Sequence, residues 1–118
     1  METKDKFEHI HVIEAIGSRD CISIKDGNSL RDHIRDGLGR GKVTVDFLGV
    51  ELVASPFFNA AIGVLFESMS HSEFLQNVKI VNSSPLINDI LEKVISNAIR
   101  YYSDSQYRES IDEMNEEE

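Results

Sequence analysis

The stretch "VTVDFLGVELVASPFF", residues 43–58, passes from an alternating pattern into Ser-Pro and two phenylalanines. Its alternate positions from Val43 to Phe47 are apolar, and Thr44 and Asp46 stand between them. Side chains of an extended chain point to opposite faces in turn, so this pattern predicts a strand with one apolar face. We therefore expect Asp46 to point away from the face on which helices pack.

A helix is predicted to follow this strand. Apolar residues recur at helical spacing from Phe58, at positions 58, 61, 62, 65, 66 and 69. Ser55-Pro56 fits the start of that helix, since serine caps a free backbone amide and proline loses no hydrogen bond there. Ser84-Pro85 repeats the arrangement before another helical stretch. We therefore predict that Ser55 is a helix cap.

Three further segments read as strands. Residues 9–16 ("HIHVIEAI"), 21–24 ("CISI") and 78–82 ("VKIVN") are short and rich in β-branched residues. Because the strand at 43–47 has only one apolar face, we expect the helices to cover mainly one side of the sheet. The sequence thus predicts an α/β fold with a mixed sheet of four or more strands.

Two more helices complete the predicted order of strand, strand, helix, strand, helix, strand, helix. Ser29 and Asp32 resemble a capping box ahead of an apolar stripe formed by Leu30, Ile34 and Leu38. The last helix, which begins near Ser84, has a stripe predicted to be buried, at Leu86, Ile90, Val94 and Ala98.

Composition favours a soluble globular protein. The chain has 118 residues, of which 41% are hydrophobic and 28% charged, and its length fits one domain. Its apolar runs fall short of the roughly 18 residues that span a bilayer, and its charged start lacks the apolar core of a signal peptide. The lone Cys21 excludes an intramolecular disulfide framework. These features predict a cytoplasmic protein that does not bind membranes.

The net charge of -9 is concentrated at the carboxyl end. Residues 104–118 contain seven acidic side chains and one basic side chain, Arg108, a composition typical of a solvated tail. We divide the chain into an N-terminal extension (1–8), one domain (9–102) and an acidic tail (103–118). Nucleic-acid binding is not expected, because the bases of residues 31–42 ("RDHIRDGLGRGK") alternate with acids and form no basic patch.

The segment "VDFLGVELVASPFFNAAIGVL", residues 45–65, resembles the centre of STAS domains, named for sulfate transporters and anti-sigma factor antagonists. Asp46 and Val50 match the aspartate and valine of the family's central strand. Ser55 matches the first serine of the Asp-Ser-Ser-Gly turn. "VDFLGV" is most similar to the small bacterial STAS-like domains of unknown function. The resemblance extends over residues 10–98 and implies a STAS-like fold.

The turn departs from the antagonists at the position of their switch. Their second serine, which a partner kinase phosphorylates, corresponds to Pro56, and the flanking acid and glycine correspond to Ala54 and Phe57. The phosphoswitch therefore does not transfer. Ser55 remains a candidate phosphorylation site, because negative charge is tolerated at a helix N-terminus.

The resemblance implies a protein-interaction module with a regulatory role, not an enzyme, and without a cofactor. By analogy with the antagonists, the predicted docking surface comprises Glu51, Ser55, Pro56, Phe57 and Asn59. Phe57 lies beside the predicted buried stripe, so we expect it to be exposed as an anchor. The expected partner is a protein, with a histidine-kinase-like ATPase as one candidate. Self-association is left open.

Two other chemistries have candidate residues in the sequence. A small serine-dependent hydrolase or phosphotransfer enzyme centred on Ser55 is the alternative function, although the G-x-S-x-G pattern of a nucleophile elbow is missing. His9 and His11 form an H-x-H pair that can supply two zinc ligands, but a third ligand is not evident from the sequence. We therefore predict solvent-facing histidines at a sheet edge and no metal site.

Overall fold

The computed structural model describes residues 7–103. Residues 1–6 of the predicted extension and 104–118 of the predicted acidic tail lie outside the described residues. The elements, in chain order, are β1 (Phe7–His11), α1 (Val12–Ile16), β2 (Asp20–Cys21), α2 (Ile24–Leu38), β3 (Lys42–Asp46), β4 (Leu52–Val53), α3 (Ser55–Ala61), a 3-10 helix (Gly63–Glu67), α4 (His71–Asn77), β5 (Val78–Val81) and α5 (Pro85–Ser103).

The strands form two small parallel sheets. The larger has the order β1-β3-β5, and the smaller pairs β2 with β4. The α/β class is confirmed, but a mixed sheet of four or more strands is not, since every pairing among residues 7–103 is parallel. In the larger sheet Asp46 is paired with His11 on one side and Val81 on the other. The carboxyl ends of all three strands therefore meet at one edge.

The two faces of the larger sheet differ in burial. Val43, Val45 and Phe47 are fully or almost fully buried, and α2 and α4 pack against β3. On the opposite face Thr44 and Asp46 of the central strand are also buried, but His9 and Lys79, which flank Thr44, are exposed. Alternation along β3 places Asp46 on that second face, as its position between Val45 and Phe47 predicted.

The prediction of a strand over residues 9–16 is wrong after His11. Residues 12–16 form the short helix α1, which buries Val12 in the core. Gly17 ends the helix in the left-handed conformation (φ 72°) and donates its N–H to the carbonyl of Ile13 at 2.8 Å. A residue with a side chain adopts this conformation only with strain, so glycine allows the turn.

Helix α2 begins earlier than predicted. Ser23, which lies in the strand predicted over residues 21–24, is instead the N-cap and accepts a hydrogen bond from the Asp26 N–H at 3.0 Å. The predicted cap, Ser29, lies inside the helix and donates its hydroxyl to the carbonyl of Ala15 at 3.4 Å. The prediction of a capping box at Ser29 is therefore wrong, because Ser23 caps the helix six residues earlier.

The helix predicted from Phe58 to position 69 is divided. Helix α3 ends at Ala61 and a 3-10 helix follows, after which Ser70 and Glu73 form a capping box at the start of the unpredicted α4. The final helix is confirmed as α5, but its stripe is shifted. Ile87, Leu91 and Val94 are buried, whereas Leu86 is 59% exposed.

Helix α5 packs mainly on other helices. It packs against α3 and the 3-10 helix, and α3 in turn packs against α2. A groove runs between these four elements and includes the first turn of α3 that the sequence singled out.

Candidate functional site

Ser55 is exposed at the start of α3, but it is not the helix cap. The N-cap position is occupied by Ala54, which has no side-chain hydrogen bond to offer, and Pro56 lies in the first turn. Among residues 7–103 the Ser55 hydroxyl has no hydrogen-bond partner. The matching prediction at Ser84 is confirmed, because its hydroxyl accepts from the Ile87 N–H at 3.1 Å.

Phe57 is fully buried, so its prediction as an exposed anchor is wrong. Its ring meets that of Phe58 edge-to-face, with centroids 5.1 Å apart. The sequence pattern placed the first buried position of this helix at Phe58. Helix α3 instead begins at Ser55, and because its first turn packs against α2, Phe57 is buried as well. The other predicted docking residues, Glu51, Ser55, Pro56 and Asn59, are exposed.

Pro56 and Asn59 line a groove of about 620 Å³ between α2, α3, the 3-10 helix and α5. Helix α2 contributes Ile24, which is 59% exposed although it is apolar. Helix α5 contributes the adjacent Tyr101 and Tyr102. An open groove with an apolar floor is the kind of surface that buries a side chain of a binding partner.

The polar groups around this groove are mostly uncharged. Three asparagines line it, Asn28, Asn59 and Asn97, and Arg31 is its one charged lining residue among residues 7–103. Arg31 donates to Asn28 Oδ1 and Asp32 Oδ1, each at 2.9 Å. Amide side chains can orient a bound peptide through hydrogen bonds, and the paired Arg31 leaves the groove with little net charge.

A second cluster lies at the carboxyl edge of the larger sheet, where His9 and His11 from β1 meet Asp46 from β3. His9 Nε2 donates to Asp46 Oδ2 at 2.7 Å, and His11 Nδ1 lies 3.6 Å from the same oxygen. The two imidazole rings are 4.5 Å apart. The sequence identified the histidine pair but missed Asp46 as its companion. The signal was an acidic residue at the end of an adjacent parallel strand.

Asp46 is held by the backbone and by Asn82. Its Oδ1 accepts from the Asn82 side-chain amide and from the Leu48 N–H, each at 2.9 Å. The Asn82 hydrogen bond, with those of His9 and Leu48, outweighs burial and lowers the pKa of Asp46 to about 2. Asn82 itself has a left-handed backbone (φ 56°), which asparagine tolerates better than most residues. The carboxylate is therefore ionised and fixed in orientation.

Cys21 lies in the core, as expected for a cysteine in an apolar strand. Burial, followed by the nearby carboxylates of Asp26 and Asp20, raises the pKa of its thiol to about 12. The thiolate is the reactive form, so this cysteine is chemically inert at neutral pH.

A family model described as the STAS-like domain of unknown function matches residues 26–88. No curated protein and no solved structure gave a significant match. Among residues 7–103, the helices are all too short or too polar to cross a bilayer. The matched segment runs from the first turn of α2 to the first turn of α5 and covers more than half of the chain. The chain therefore belongs to the family of STAS-like domains of unknown function.

Proposed function

We propose that this chain is a non-catalytic protein-interaction module with a regulatory role, and that its partner binds in the groove between α2, α3 and α5. The observation that supports this proposal is the position of Pro56 and Asn59. Both belong to the docking surface expected from the resemblance, and both line the groove. Glu51 is exposed ahead of β4 and does not line it, so we place it outside the docking surface.

The occupant proposed for the groove is a segment of a partner protein that carries an apolar side chain and has little net charge. The exposed Ile24 and the apolar side chains of the floor would bury that side chain, and the three asparagines would bond its backbone. The likeness to anti-sigma factor antagonists favours a histidine-kinase-like ATPase as this partner, in a bacterial signalling pathway.

The alternative, a serine-dependent hydrolase or phosphotransfer enzyme at Ser55, has less support. A serine nucleophile needs a base within hydrogen-bond reach and a group that orients that base. In the part of the chain that the structure describes, Ser55 has no such neighbour. Because the Ser55 hydroxyl is exposed, phosphorylation of Ser55 remains a prediction.

Site-specific photo-cross-linking in native cells tests the proposal. A photoreactive residue at Asn59 lies in the groove, and one at the exposed Gln76 on α4 is the matched control. We expect Asn59 to capture one protein that Gln76 does not capture. With that protein purified, Asn59→Arg should weaken binding at least tenfold, and Gln76→Arg should leave it unchanged. Equal capture at the two positions, or equal affinity of the two variants, would contradict the proposal.

A further inference from the structure

The carboxyl edge of the larger sheet brings together three side chains of types that bind metal ions. His9 and His11 project from the same face of β1, and the register pairs His11 with Asp46 on β3. One ligand atom from each of the three residues lies within 4.8 Å of the others. This edge, where the carboxyl ends of parallel strands meet, is also where ligands bind in open α/β sheets.

The separations are close to those around a shared ion. With bonds of about 2.0–2.2 Å to nitrogen or oxygen, two ligand atoms on a tetrahedral zinc ion stand about 3.3–3.6 Å apart. His11 Nδ1 lies at such a distance, 3.6 Å, from Asp46 Oδ2, whereas His9 Nε2 lies at a hydrogen-bond distance of 2.7 Å from the same oxygen. An ion would replace the proton that His9 shares with Asp46, and small rotations of the exposed rings would complete the geometry.

Asp46 is oriented for this role by groups that do not take part in coordination. Asn82 and the Leu48 N–H hold Oδ1, so Oδ2 is the oxygen presented to both histidines. Fixed carboxylates of this kind, held by neighbouring hydrogen bonds, are a regular feature of metal sites.

The site is open to solvent on one side. The side chains of His9 and His11 are 48% and 50% exposed, whereas that of Asp46 is 5% exposed. The neighbouring cations, Lys42 and Lys79, lie over the ring of Phe7, at 5.5 and 4.9 Å from its centroid. Phe7 is the first residue of β1, so both ammonium groups lie toward the amino end of that strand, away from the carboxyl edge that carries Asp46.

We propose that His9, His11 and Asp46 bind one divalent first-row transition metal ion, with Zn²⁺ as the representative ion. Two imidazoles and one carboxylate suit zinc, iron or nickel, whereas Ca²⁺ and Mg²⁺ prefer sites made of oxygen ligands. Three protein ligands leave one or more positions for water or for a group of another molecule. The site does not share residues with the groove, so this proposal is independent of the proposed function.

Calorimetric titration of the full chain with Zn²⁺ tests the site. We expect one ion per chain, no comparable binding of Mg²⁺, and affinity at least tenfold weaker in His11→Gln. His33→Gln, which removes an exposed histidine on α2, is the matched control and should bind like the original chain. Asn82→Gly keeps the left-handed backbone and removes the amide, so we expect ten- to a hundredfold weaker binding.

A measurement on the unaltered chain covers the case in which a variant fails to fold. In imidazole NMR spectra, Zn²⁺ should shift the resonances of His9 and His11 and leave those of His33 and His71 in place. Equal shifts of all four histidines, no saturable binding by the original chain, or equal binding by His11→Gln and His33→Gln would overturn the proposal.

Discussion

Gly27 lies where α2 packs against α3, and replacing it with alanine tests the packing that forms one side of the groove. A Cβ atom at this position would stand 2.5 Å from the carbonyl oxygen of Phe57 and 2.9 Å from the Cβ of Ala60. Both distances are shorter than van der Waals contact. The closest atom belongs to the backbone of α3, so a side-chain rotation cannot relieve the clash, and the helix must move.

Two opposing effects set the size of the change. Alanine is favoured over glycine inside a helix by about 1 kcal/mol. Overpacking a filled core costs about 1–3 kcal/mol, and we expect the upper part of that range because a helix backbone has to shift. Gly27→Ala should therefore lower the free energy of unfolding by about 1–2 kcal/mol.

Urea unfolding of both glycine variants measures this effect. Gly39→Ala is the matched control, because Gly39 has a right-handed backbone (φ -65°) and the nearest atom to its Cβ position is 3.4 Å away. We expect Gly39→Ala to be as stable as the original chain or slightly more stable. If Gly27→Ala is also as stable as the original chain, the described packing of α2 on α3 is wrong.

Three further predictions concern single side chains. Phe57→Ala should lower the free energy of unfolding by about 3–5 kcal/mol, since Phe57 is fully buried, and a loss below about 1 kcal/mol in denaturant unfolding would contradict that burial. Folding lowers the pKa of Asp46 from 3.8 to about 2, so the hydrogen bonds to its ionised carboxylate stabilise the fold by about 2 kcal/mol above about pH 4. This stabilisation is lost as the pH falls from about 4 to 2 and the carboxylate is protonated. Unfolding measured across that range should be less pH-dependent in Asp46→Asn, and equal pH dependence would argue against the shift. Ser70→Ala should cost about 1 kcal/mol in thermal unfolding by removing a cap, and Ser55→Ala should cost almost nothing; equal losses would show that Ser55 is a cap as well.

The sequence predicted best where a pattern depends on local geometry alone. The alternation from Val43 to Phe47 gave both the strand and the side on which Asp46 lies. Prediction from the sequence failed where two residues suit the same structural role equally well. Ser23 and Ser29 both suit a helix start, and the packing of Gly27 against α3, which no local pattern contains, favours a helix that begins after Ser23.

The cluster of His9, His11 and Asp46 lay beyond local patterns for a related reason. His9 and Asp46 are 37 residues apart in the chain, and they meet because β1 pairs with β3 in a particular register. A shift of one residue in that register would turn either side chain to the other face. Phe57 shows the converse error, since the resemblance marked it as part of a docking surface, whereas the fold buries it in the core together with Phe58.

Amide NMR mapping with the captured partner shows whether that protein binds in the groove. On titration, we expect the largest shifts at Asn59, Ala60 and Ala98, and no shifts at Thr44 or Lys79 on the face of the larger sheet that carries His9 and Asp46. Shifts that cluster on that face, with the groove amides unchanged, would show that the partner binds elsewhere.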